Sequence, residues 1–246
     1  MAAMDIRFDG KRVLVTGAGK GIGREIALLL NQLGATVIAV SRAEADLAML
    51  RQQIDAETIA ADLADAQAAH DVAVRAGRVD LLVNNAGISI PQSFMETTVE
   101  AFDKTLAVNV RAAFIISQIV ARGMIERGQV GAIVNLSSQS SMVGLLDHTA
   151  YCASKGALDQ LTRVMAVELG PHQIRVNAVN PTVTLTPMAE MAWSDPVKSG
   201  AMKARIPLGR FASPLDVAHA VAYLLSEQAD MIHGVTLPVD GGFLAS

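Results

Sequence analysis

The sequence predicts an α/β fold: one doubly wound parallel sheet with helices on both faces. Three observations carry this. Short Val/Ile/Leu runs alternate with amphipathic helical stretches along the whole chain. The first run opens onto a glycine-rich turn and then a helix. Hydrophobic residues make up 51% of the 246 and aromatics only 4%, which suits aliphatic parallel strands covered on both sides.

The first strand is expected at 12–16, in Val13-Leu14-Val15-Thr16. Gly17-Ala18-Gly19-Lys20-Gly21-Ile22-Gly23 follows, and a helix is expected over about 22–33. Strand, glycine turn and helix in this order fit a Rossmann-type dinucleotide site. The glycines allow a tight turn and close backbone approach to a pyrophosphate, which sits at the helix N-terminus. The spacing is TGxxxGxG, and a tight turn with no ligand is the plainer alternative. The second strand, 36–40, ends at Ser41-Arg42. A carboxylate near such a strand end would hold a ribose 2′-hydroxyl, and none stands there. Arg42 can instead meet a 2′-phosphate, with Lys20 as a second cation. NADP(H) is therefore the expected cofactor, the alternative for both cations being a solvated surface charge.

Further strands are expected at about 80–83, 131–136, 174–179 and 234–237, with helices around 99–122, 150–169 and 214–226. Repeated β-α-β units imply parallel pairing. No linker or composition break appears, so residues 1–246 read as one domain. The stretch 182–213 is broken by Pro187, Pro196, Pro207 and Pro214 and reads as an irregular segment of the kind that forms lids.

Several classes are disfavoured. The net charge is −4 with no long basic run, so no nucleic-acid partner is expected. No apolar signal core opens the chain, and the apolar runs look too interrupted for a membrane span. Cys152 is the one cysteine; it permits no disulfide within the chain and suits a reducing, cytoplasmic setting.

Tyr151 and Lys155 stand one helical turn apart, with Ser138 thirteen residues upstream of the tyrosine. A free phenol titrates near 10, too high to be a good acid or base at neutral pH. A lysine on the same helical face favours the phenolate, and a serine hydroxyl can share the substrate oxygen. Such a set moves a proton on or off a carbonyl or alcohol oxygen. YxxxK alone is a weak pattern; the glycine turn gives it weight.

Thr16-Gly17…Gly21-Ile22-Gly23, Asp62-Leu63, Asn84-Asn85-Ala86-Gly87, Asn109, Ser138, Tyr151…Lys155 and Pro181…Thr186 together resemble the short-chain dehydrogenase/reductase family across essentially the whole chain. Thr182 departs from it, since the family commonly has glycine there. The resemblance implies that Tyr151 protonates the carbonyl oxygen as hydride arrives, with Ser138 bonding the same oxygen. It implies that Lys155 lowers the tyrosine's pKa and holds the nicotinamide ribose, and that Asn109 supports a water linking Lys155 to solvent. Asp62 and Leu63 would meet the adenine, Asn85, Ala86 and Gly87 would line the cofactor, and Val183 and Thr186 would hold the carboxamide. Ser41-Arg42, Arg205-Ile206-Pro207-Leu208-Gly209 and the C-terminal Pro238-Val239-Asp240-Gly241-Gly242-Phe243-Leu244 are similar to members that reduce L-xylulose and α-dicarbonyls such as diacetyl with NADPH. Those members are homotetramers whose C-terminal ends pack into a neighbouring subunit. Gln139, Leu145, His148 and Trp193 are the expected substrate contacts, although His148 could be structural and Trp193 could serve packing. Relatives that act on acyl carrier protein use arginines where Gln129 and His172 stand here.

Overall fold

The computed structural model describes residues 5–186, 189–190 and 193–245. Seven strands form a parallel sheet in the order β3-β2-β1-β4-β5-β6-β7. They are β1 (Arg12–Thr16), β2 (Thr36–Ser41), β3 (Ala56–Ala60), β4 (Leu81–Asn84), β5 (Gly131–Leu136), β6 (Ile174–Pro181) and β7 (Thr236–Val239). The helices are α1 (Gly21–Gln32), α2 (Glu44–Arg51), α3 (Ala66–Ala76), α4 (Val99–Leu106), α5 (Ala112–Glu126), α6 (Thr149–Leu169), α7 (Pro196–Lys203) and α8 (Pro214–Leu225).

Successive side chains of a strand point to opposite faces, and β1 shows the result. Val13 and Val15 join Ile26 and Leu30 of α1 and Val217 and Val221 of α8. Leu14 joins Ile116 and Met124 of α5 and Val72 of α3 on the other face. Burying each such side chain contributes about 1.5–3 kcal/mol, so both faces of the sheet are committed. The order reverses between β1 and β4. In open parallel sheets that reversal leaves a crevice at the carboxyl ends of the strands.

β3 is the strand that sequence patterning missed. Ala56-Glu57-Thr58-Ile59-Ala60 is an edge strand in which Ile59 alone is buried, so it lacks an aliphatic run. The 182–213 segment is also more regular than expected. Pro196 begins α7 and Pro214 begins α8, each behind a capping side chain: Asp195 accepts from the Val197 amide and Ser213 from the Asp216 amide. Proline at the first helical position loses no hydrogen bond there, so two presumed breakers are starters. Pro187 lies outside the described residues.

The run Val99–Glu126 is long and apolar enough, by composition, to cross a bilayer. Half of its apolar window is packed inside the protein, against α3 and α6, as befits a core helix. Ala107–Arg111 within it forms a π turn.

Candidate active site

The glycine turn folds as its spacing requires. Gly21 has φ +56°, a conformation that favours glycine, and a Cβ there would come within 2.9 Å of Thr186 Cγ2. At Gly19 a Cβ would fall 2.5 Å from Ser41 Oγ and 2.8 Å from Asp46 Cβ. Lys20 precedes α1 without a side-chain cap, and no acidic residue occupies the first turn. The leading N–H groups there, from Gly21 through Gly23, are thus left for an anion. Asn85 ties the turn to β4: its amide donates to the carbonyls of Thr16 (3.0 Å) and Gly17 (3.1 Å). The Asn85 and Ala86 N–H groups in turn donate to Thr16 Oγ1. This chain therefore fits a dinucleotide pyrophosphate at the turn.

The outer end of the turn differs from expectation. A carboxylate is present after all, delivered by α2: Asp46 is buried and its Oδ1 lies 3.2 Å from Lys20 Nζ. Lys20 is thus paired. Arg42 is exposed and carries no hydrogen bond or ion pair to a described residue, so it is the cation available to a 2′-phosphate. Asp62 is exposed and accepts from the Ala64 amide at 3.0 Å, a local turn bond that leaves Oδ2 open. Leu63 is buried beside it.

Ser138, Tyr151 and Lys155 meet at the ends of β5 and α6. Ser138 Oγ accepts from the Ser140 amide at 3.1 Å and lies 3.0 Å from Ser140 Oγ. Ser140 was not anticipated from the sequence. Burial pushes the Tyr151 phenol above its ordinary value, and a hydrogen bond with Ser138 partly offsets this. The Lys155 ammonium sits over the Tyr151 ring, 5.5 Å from its centroid, and donates to the Leu136 carbonyl at 2.6 Å. Burial drives the Lys155 pKa down to about 8, with the negative charge of Asp159 opposing that fall.

Asn109 lies in the π turn, fully buried. Its Oδ1 accepts from the Ile88 amide at 2.8 Å, and its Nδ2 donates to Ile88 O and to Ser154 Oγ. The side chain is therefore spent on structure, and any water it supports must bond its backbone. A Cβ at Gly87 would stand 3.4 Å from Asn109 Oδ1 and 3.6 Å from Lys155 Nζ, so these three residues converge.

Of the expected substrate contacts, His148 packs its ring edge-on to Tyr151 at 6.1 Å between centroids. Its Nδ1 lies 2.7 Å from the Leu146 carbonyl; an acceptor there requires an Nδ1–H, which leaves Nε2 as an acceptor in the neutral ring. Gln139 is buried, and its Oε1 has no hydrogen-bond partner among the described residues. Leu145 is half-buried, and its carbonyl accepts from the His148 amide. Trp193 packs on Phe211 at 5.4 Å, in a cluster with Ile206, Phe243 and Val183. The C-terminal Phe243 is therefore buried within its own chain.

The sequence profile of a family described as Enoyl-(Acyl carrier protein) reductase matches residues 17–244. L-xylulose reductase of Bos taurus is 57% identical over 244 residues, covering 99% of this chain and 100% of that one. Carbonyl reductase [NADPH] 2 of Sus scrofa is 48% identical with the same coverage. Among solved structures, an Agrobacterium tumefaciens protein described as a 2-deoxy-d-gluconate 3-dehydrogenase, with NADP bound, superimposes with a TM-score of 0.93. It is 34% identical and covers 99% of this chain and 100% of that one.

Proposed function

Because the chain belongs to the short-chain dehydrogenase/reductase family, we propose that it is an NADPH-dependent carbonyl reductase that converts L-xylulose to xylitol and reduces small α-dicarbonyls such as diacetyl. The observation that carries this reading is the placement of Ser138, Tyr151 and Lys155 at the strand ends beside the uncapped glycine turn. The cofactor, when bound, supplies hydride. Tyr151 supplies the proton: a phenol held above its usual value by burial stays protonated at neutral pH, the state an acid needs when a carbonyl is reduced. Ser138 positions the substrate oxygen against that phenol. Lys155, charged below about pH 8, places positive charge beside the developing phenolate. Arg42 favours NADP(H), and Gly17 through Gly23 hold the pyrophosphate. Asp62, Leu63, Asn85, Ala86, Gly87, Val183 and Thr186 line the remainder of the cofactor.

Gln139, Leu145, His148 and Trp193 border the substrate. A carrier-protein substrate is disfavoured because Gln129 and His172 replace docking arginines, and the Gln129 amide is already bonded to Asp80. We assign the protein to the cytoplasm, since one half-buried cysteine calls for no oxidising compartment.

The assembly in this reading is a homotetramer. Its support is an apolar groove of about 340 Å³ between α5 and α6, lined by Phe114, Ala121, Ile125, Val164 and Met165. An open apolar groove of this kind suits a symmetric contact with a second copy. Light scattering at micromolar concentration should report four chains; a stable monomer would refute the assembly alone. The activity is tested by following NADPH absorbance with L-xylulose and with diacetyl. Absence of turnover with both, in protein shown to bind NADPH, would refute the reading.

A further inference from the structure

Asp159 lies one helical turn beyond Lys155 on α6 and is buried at 3% exposure. Its Oδ2 accepts from Asn180 Nδ2 at 3.0 Å. Its Oδ1 is buried with no hydrogen-bond partner among the described residues. A carboxylate taken out of water costs several kcal/mol unless something compensates it, and one amide on one oxygen is thin compensation. Two cations share its helical face: Lys155 at i−4, which is buried, and Arg163 at i+4, which is exposed and bonded to Gln160 Oε1. Lys155 faces the converse problem, an ammonium that is 4% exposed with a single carbonyl, Leu136 O, as its acceptor among the described residues.

Asn180, at the carboxyl end of β6, links this carboxylate to the other half of the site. The same Nδ2 that reaches Asp159 also donates to Ser141 Oγ at 2.8 Å and to the Ser138 carbonyl at 3.1 Å. The turn that carries Ser138 is thereby tied to Asp159 through one side chain.

We infer that Asp159 is the buried counter-charge of Lys155 and, through the Asn180 amide, the anchor of the Ser138 turn, a single positioning residue serving both halves of the proton-delivering set. The titratable groups around Lys155 are few. Tyr151, Cys152 and Asp159 stand within about a turn of it on its helix, Arg163 and Glu168 farther along that helix are exposed, and His148 lies against Tyr151. The charged side chains of α4 (Glu100, Asp103 and Lys104) are exposed. Arg111 of the π turn is exposed and reaches the Ala64 carbonyl. On β6, Arg175 is at the opposite end, bonded to the carbonyls of Leu224, Leu225 and Ser226. Asp159 is the charge whose field opposes the fall of the Lys155 pKa. The assignment deepens the reductase reading, and its main test does not depend on that reading.

The test is an NMR titration of the ligand-free protein carrying ¹³C-labelled lysine and aspartate, with the Lys155 resonance identified by its loss in Lys155→Met. In Asp159→Asn the Lys155 midpoint should fall by about one unit, a tenfold easier loss of the proton, and Asp159→Glu should restore it. In the unaltered protein the Asp159 carboxyl carbon should register the Lys155 titration, a readout available even if Asp159→Asn does not fold. In active preparations the high-pH limb of kcat/KM for diacetyl should move to lower pH in Asp159→Asn. Asn180→Ser should lower kcat without moving the Lys155 midpoint. A Lys155 midpoint unchanged in Asp159→Asn would overturn the assignment, as would a carboxyl resonance blind to Lys155. Either result would leave the reductase activity itself untouched.

Discussion

Lys20 and Asp46 form an ion pair 3.2 Å long at the outer end of the glycine turn, beside Ser41. Lys20 is largely exposed, so the pair itself is weak. Its consequence for a phosphate is larger, because Asp46 places a negative charge where a 2′-phosphate would arrive. Asp46→Asn should lower the KM for NADPH by about 2–5-fold, the scale of one exposed charge interaction, and leave that for NADH nearly unchanged. Ser41→Asp combined with Arg42→Ala should do the reverse and shift preference toward NADH. Steady-state kinetics with both cofactors checks the pair; equal efficiency with NADPH and NADH in the unaltered protein would remove its basis.

Tyr151→Phe keeps the ring against His148 and removes the proton. Turnover should fall by about 10²–10⁴-fold, while NADPH titrated by fluorescence binds as before. Near-normal turnover in this variant would transfer the acid role to another group.

Lys155 links the site to stability. Its pKa drops from 10.5 to about 8 in the native protein, so between those values the unfolded chain holds more protons than the folded one. Stability then rises with pH across this window and is lost as pH falls through 8. Relative to Lys155→Met, the unaltered ligand-free protein should gain up to about 3 kcal/mol between pH 7 and pH 10.5. Calorimetry across that range measures the gap, and a gap independent of pH would mean that Lys155 titrates normally.

In the proposed reading His148 shapes substrate choice through its tautomer. With Nδ1–H directed at the Leu146 carbonyl, Nε2 accepts a hydroxyl and so favours an α-hydroxy ketone. His148→Leu should cost L-xylulose about 2–12-fold in kcat/KM, the value of one neutral hydrogen bond, and leave 2-butanone almost unaffected. Equal losses for both ketones would make His148 a packing residue.

The sequence made some of this legible and concealed the rest for identifiable reasons. The glycine turn, the Tyr151/Lys155 spacing and six of the strands are local patterns, and local patterns survive in one dimension. Asp46 escaped notice because it sits on α2, beyond the strand end where a ribose carboxylate is sought, and only the folding of α2 under Gly19 brings it in. The Asp159–Asn180–Ser138 connection joins residues 21 and 42 positions apart, a distance no motif spans. In the sequence Pro196 and Pro214 look like breakers because a proline reads the same whether it ends a helix or begins one; the caps Asp195 and Ser213 make the difference. Trp193, unique in the chain, reads in the sequence as a candidate substrate wall, and its packing on Phe211, beside the Phe243 cluster and under the Lys198 ammonium, joins residues no motif connects.

The strand order has a consequence for biogenesis. Val13 pairs with Val37 on one side and with Leu81 on the other, and α1 is covered by α8 near the end of the chain. A nascent chain leaving the ribosome therefore presents β1 with one bare edge until β4 is made. It also presents α1 and its strands with an unshielded greasy face until residues 214–225 emerge. Bare edges and uncovered apolar faces invite association with other chains. The nucleotide-cradling half, although made first, is finished last, so a truncation just before α8 should yield insoluble aggregates and not a smaller working enzyme.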